Sequence, residues 1–196
     1  MLLIGGWTVA AGLQPRSFDP VADTVSALAA LGATDRWVMS LVFLLVGACD
    51  IVTGMALRPA RTAGRAVLIS GAVAGMLVAA FPEHNGYGGS VPHTFWAAIG
   101  FAGLAAWPAM AWRRGPPVPW GLRPAACFGA IAAMLILIAW FLAELISGAG
   151  QVGLAERVVG GAQAVWPLAV VVSCRLAPSR CRGYAVLAAS TWSKSP

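Results

Sequence analysis

The sequence predicts an all-α protein, a bundle of six transmembrane helices with a short helix on its outer face between spans one and two. Three observations carry this. Hydrophobic residues make up 59% of the 196 and charged residues only 10%, against about 25% charged in a soluble domain. The apolar residues gather into runs close to the ~20 that cross a ~30 Å hydrocarbon core. The basic residues fall almost entirely in alternate gaps between those runs. With a mean hydropathy of +0.78, the chain cannot bury its apolar side chains in one water-soluble core of this size. That excludes a soluble enzyme, a disordered regulator and a nucleic-acid-binding domain, although the pI near 9.9 invites the last.

The first span, Met1 to Leu13, is thin: 13 residues reach only ~20 Å as a helix. Either it crosses a thinned region or the natural start lies upstream. Heavy Ala, Gly and Arg usage fits a GC-rich bacterial gene, where start sites are easily misplaced. No basic segment precedes the run, so it reads poorly as a cleaved signal peptide. The second span runs from about Trp37 to Leu57, the third from about Gly64 to Phe81 and the fourth from about Pro92 to Trp112. The fifth runs from about Pro124 to Ile146 and the sixth from about Val158 to Leu176. Residues 1–182 then form one transmembrane domain, and 183–196 a short cytoplasmic tail expected to be mobile.

The basic residues set the orientation. Arg58, Arg61, Arg65, Arg113, Arg114, Arg123, Arg175, Arg180, Arg182 and Lys194 share one side; Arg16, Arg36 and Arg157 fall on the other. The positive-inside rule places the larger set, and both termini, in the cytoplasm of a bacterial cell. Most acids and both histidines then face outward, and Asp50 alone lies in the inner half of a span. Cys49, Cys127, Cys174 and Cys181 fall on the reducing side, which argues against disulfides.

The outer loop SFDPVADTVSALAALG carries helix signals. Asp19 can cap a helix beginning at Pro20, Gly32 can end it, and Val21, Val25 and Leu28 form one apolar stripe. These predict a helix over Pro20 to Leu31, with Asp23 turned toward the bundle mouth. Thr34 or Asp35 is expected to cap span two. In the loop PEHNGYGGSVPH, Ser90 can cap span four with Pro92 in its first turn. Gly71 and Gly75, and Gly160 and Ala164, are spaced for close helix packing, within the bundle or across a dimer.

The segments LIGGW, QPRSFDPVADTVSALAALGATDRWVM, FPEHNGYGGSVPH and AERVVGGAQAVWPL together resemble the bacterial six-helix membrane family called domain of unknown function 998. DPVADTVSALAALG is the most specific part, and the resemblance covers nearly the whole chain. The thin first span departs from the pattern. The resemblance implies a six-helix bundle; it carries no assigned reaction, so no catalytic residue transfers.

Several chemistries are excluded by motif: there is no HExxH, no GxSxG and no P-loop. His84, His93 and a carboxylate are too few and too exposed to favour a metal, and neither histidine is placed for haem. No metal or cofactor is expected. What remains is a carboxylate and aromatic set. Glu144, about one turn inside span five, is costly in lipid and normally faces the bundle interior or water. Asp23, Glu83 and His93 could close the mouth of a pocket above it. Trp96, Trp140, Gln163 and Trp166 could line that pocket, and Glu156 and Arg157 sit just above, free to pair with each other or with neighbours. The expected partners are membrane lipid and a lipid-like small molecule. Three function classes stay open. One is an enzyme that protonates a prenyl chain, as terpene cyclases do, or performs other acid–base chemistry on a lipid. The second is a transporter or lipid-handling protein using Glu144 and Asp50. The third is a non-catalytic structural or partner-binding protein.

Overall fold

A computed structural model describes residues 1–84, 90–115 and 117–177. The expected tail at 183–196, and the NGYGG part of the second outer loop, lie outside the described residues. Among the described residues there are six α-helices: α1 (Leu2–Gly12), α2 (Trp37–Ala56), α3 (Thr62–Ala80), α4 (Val91–Ala111), α5 (Pro124–Ser147) and α6 (Val152–Leu176). Short 3-10 turns occupy Ser26–Ala29 and Trp120–Leu122. No strand accompanies them among the described residues. The helices alternate in direction, each packs on its neighbours in sequence, and α1 closes the ring against α6.

Helices α2 to α6 are long and apolar enough to cross a membrane; the chain is a multi-pass membrane protein. Their outward faces carry Val52, Ile136, Leu145 and other exposed apolar side chains, which suit lipid rather than water. Helix α1 has only 11 residues, about 16 Å of rise. Its Gly6 lies against Val42 of α2, and its Trp7 reaches Gly160 and Gly161 of α6.

Several ends follow local signals. Ser90 caps α4, its hydroxyl accepting from the His93 N–H at 3.3 Å. Helix α5 stops at Gly148, which takes the left-handed φ of +66° that favours glycine after a helix C-terminus. Arg65 donates to the carbonyls of Gly54 (2.7 Å) and Met55 (2.8 Å), so a cation from α3 satisfies the last turn of α2.

Three expectations are corrected. The Pro20 to Leu31 segment is not a helix: turns cover its first part, and only Ser26–Ala29 winds, as a 3-10 turn. The groups an α-helix would pair internally are taken from elsewhere. Arg157 Nη1 donates to the carbonyls of Pro20 (2.6 Å) and Asp23 (2.8 Å), and the Leu154 N–H donates to the Val21 carbonyl at 2.9 Å. The Val25 N–H donates to Glu156 at 2.6 Å and the Ala27 N–H to the Thr24 hydroxyl at 3.0 Å. Asp19 does accept from the Val21 N–H at 2.9 Å, but as a local turn. Second, neither Thr34 nor Asp35 caps α2. Thr34 exchanges two backbone bonds with the Gln14 side chain; Asp35 takes a φ of +48° and accepts from the Trp37 indole at 3.2 Å. Third, α6 begins at Val152, not near Val158, so Glu156 and Arg157 lie on its second turn rather than in a loop.

Candidate functional site

Two dense clusters lie toward opposite ends of the bundle. One gathers Leu57, Leu68, Trp107, Leu122 and Val170 at the arginine-rich end, and the other Val25, Leu28, Met39 and Val42 at the acidic end. Helices α3 and α4 meet through glycines: Gly103 lies directly on Gly71, and Gly100 on Gly75. Small residues let helices approach closely, and here they also leave space on the inner side. A partly open cavity of ≈ 120 Å³ lies inside the bundle, walled by α1, α2, α3, α4, α6 and the 3-10 turn at Ser26. At ~30 Å³ per molecule it would hold about four waters. Helix α5, the least buried of the membrane-length helices, contributes no wall.

The walls are mostly glycine, alanine and aliphatic or aromatic side chains, interrupted by Asp50, Glu156, Gln163 and Ser26. Glu156 is 7% exposed. Its Oε2 accepts from the Val25 N–H at 2.6 Å and its Oε1 from the Ser26 hydroxyl at 3.2 Å. It therefore faces the cavity while fastening the first loop over it. Arg157, one residue on, turns away and holds the Pro20, Asp23 and Gly153 carbonyls. Gly153 permits this docking, because a Cβ there would overlap the Asp23 carbonyl group. Gln163 is 3% exposed, and its Nε2 donates to the Phe101 carbonyl at 2.9 Å. Asp50 is half-buried and has no hydrogen bond or ion pair among the described residues.

Of the residues proposed from sequence as catalytic, proton-carrying or pocket-lining, Gln163 and Asp50 line this cavity. Glu144 lies at the last turn of α5, where its carboxylate accepts from the Gln151 N–H at 3.1 Å and joins α5 to α6. Asp23 accepts from the Asp19 N–H at 2.8 Å within the first loop. Glu83 and His93 do come together, Oε1 to Nε2 at 3.3 Å, but away from the cavity walls. His93 Nδ1 donates to the Phe81 carbonyl at 3.0 Å, and the Leu31 N–H donates to the Glu83 carbonyl at 3.0 Å. This pair thus ties the start of α4 to both loops of the acidic end. Trp96 meets Phe95 edge-on at 5.1 Å, Trp140 is half-buried on α5, and Trp166 stacks edge-on with Trp120 at 6.4 Å. None of the three is a cavity wall; the aromatic walls are Trp7, Phe43 and Phe101. His84 is exposed. Gly71 and Gly75 face α4 or the cavity, and Gly160 faces α1, so both small-residue faces are used inside the bundle.

The sequence reading missed Glu156 as a wall residue because its charge interrupts the apolar run and looks like a loop. The usable signal was the pairing of Glu156 with Gly160 and Gln163 at helical spacing, which puts all three on one face of a helix. No curated protein and no solved structure matches the chain. The profile of the family described as "Protein of unknown function (DUF998)" matches residues 1–173, and the chain belongs to that family.

Proposed function

We propose that the protein binds and handles a lipid-like small molecule in the cavity within the bundle. The observation that supports this is the cavity itself: walls drawn from four membrane-length helices and the short α1, apolar except for a few polar groups that could fix an orientation. Ligand sites commonly have this composition. Binding or translocation is favoured over acid-initiated chemistry on a prenyl chain. Glu144 lies outside the cavity, and Glu156 has both oxygens engaged as acceptors, a poor arrangement for handing a proton to a substrate.

Gly75 provides the test. It lines the cavity, and a Cβ added there meets nothing within 4 Å. Gly75→Leu should therefore fill the void without disturbing the helices around it. Mass spectrometry of the purified protein is expected to find a lipid-like molecule with the wild type and at least a tenfold lower recovery with Gly75→Leu, at an unfolding temperature no lower than the wild type's. Equal recovery from both proteins would overturn the reading.

We further propose that the arginine-rich end lies on the cytoplasmic side of a bacterial cytoplasmic membrane, with both termini on that side; the distribution of Lys and Arg supports this. In a variant without native cysteines, an impermeant thiol reagent added to intact cells should modify Ala149→Cys, in the exposed α5–α6 loop. It should miss Thr62→Cys, exposed at the other end. Modification at Thr62→Cys alone would reverse the orientation.

A further inference from the structure

The charge on the cavity wall points to one class of ligand. Among the described residues the wall includes two carboxylates, Asp50 and Glu156, and no Lys, Arg or His. Glu156 is already met by a backbone N–H and a hydroxyl and is followed by Arg157. Asp50 is met by nothing among the described residues. It sits 13 residues into α2 and six from its end at Ala56, roughly 20 Å and 9 Å along the helix at 1.5 Å per residue. A carboxylate at such depth is costly unless a partner or water compensates it.

The remaining polar features of the cavity have the same sign. The Gln163 amide and the Ser26 hydroxyl already donate within the protein. Pro108 lies inside α4 and Pro167 inside α6. Proline lacks an N–H, so it leaves the carbonyl four residues earlier without its helical donor. Those carbonyls belong to Leu104 and Gln163, and both residues line the cavity. Trp7, Phe43 and Phe101 add ring faces, whose negative quadrupole attracts cations. Residues bearing acceptors and aromatic rings thus line a space of ≈ 120 Å³, room for a headgroup rather than a whole lipid.

We propose that the ligand is an amphiphilic organic cation whose ammonium group pairs with Asp50 against the Trp7, Phe43 and Phe101 rings, its apolar tail leaving the cavity between the helices. This rests on the cavity-binding reading above and adds the charge of the ligand. An anionic or purely hydrocarbon lipid would leave Asp50 uncompensated.

The test compares hexyltrimethylammonium with its neutral analogue bearing carbon in place of nitrogen, by calorimetry on the full chain in neutral detergent. The wild type should bind the cation at least tenfold more tightly. Asp50→Asn should abolish that preference, and because Asp50 has no partner to lose among the described residues, its unfolding temperature should hold. Phe101→Leu should weaken the cation more than the analogue. Equal binding of both probes to the wild type would overturn the charge assignment while leaving the cavity reading intact. So would a preference that survives Asp50→Asn. If Gly75→Leu displaces neither probe, the cavity reading fails as well. The wild-type comparison needs no variant, so a poorly folded Asp50→Asn would not spare the proposal.

Discussion

Glu156→Ala is expected to destabilise the protein by about 3 kcal/mol, the combined loss of two hydrogen bonds to a buried carboxylate at ~1.5 kcal/mol or more each. The Val25 N–H and the Ser26 hydroxyl would lose their acceptor in a place water reaches poorly. The first loop should then loosen over Val25 and Ser26, while Arg157 still holds it at Pro20 and Asp23. Hydrogen exchange should speed up at Val25 and across its neighbours, and thermal unfolding in detergent should shift downward. Glu156→Gln should lose about half as much, since its carbonyl oxygen can still accept but its amide nitrogen cannot. Glu144→Gln should change stability by less than ~1 kcal/mol, because a carboxamide oxygen can accept the same Gln151 N–H. Wild-type stability and slow exchange at Val25 in the Glu156→Ala variant would refute the clamp.

Gly103→Val should be destabilising by about 3 kcal/mol, the upper range for overpacking a tight contact. A Cβ at Gly103 falls 2.8 Å from the Gly71 Cα and 3.2 Å from the Gly71 nitrogen. Both are backbone atoms, so no side chain can rotate aside, and α4 must move away from α3. Gly75→Ala should do the opposite. Its Cβ meets nothing, and alanine is favoured over glycine in a helix interior by up to ~1 kcal/mol. Unfolding temperatures of the two variants, measured in one detergent, should therefore fall on opposite sides of the wild type. A Gly103→Val protein as stable as Gly75→Ala would contradict the α3–α4 packing.

These two cases show how far local pattern reaches. Gly71 and Gly75 look alike in sequence, two small residues one turn apart on one helix. One meets the backbone of Gly103 and the other borders empty space, a difference set by the crossing of α4 rather than by α3. Trp96, Trp140 and Trp166 are likewise equivalent to Trp7 by composition. Only Trp7 reaches the cavity, because α1 is short and lies between α2 and α6.

What the sequence by itself determined is the membrane-spanning all-helical class, the approximate bounds of α2 to α5, the Ser90 cap and the family. All of these rest on hydropathy, helical period and end signals, which act over a few neighbouring residues. The tertiary structure alone decided the rest. It drew the first loop out of the helix its own signals favour, because Glu156 and Arg157 supply partners for its backbone from 131 to 137 positions away in the chain. It moved the start of α6 back to Val152, since charges that would end a helix in lipid are compensated once that loop is docked on them. It left Asp50 facing a mostly apolar space with no counterpart among the described residues, a juxtaposition of five helices that no single stretch of sequence contains.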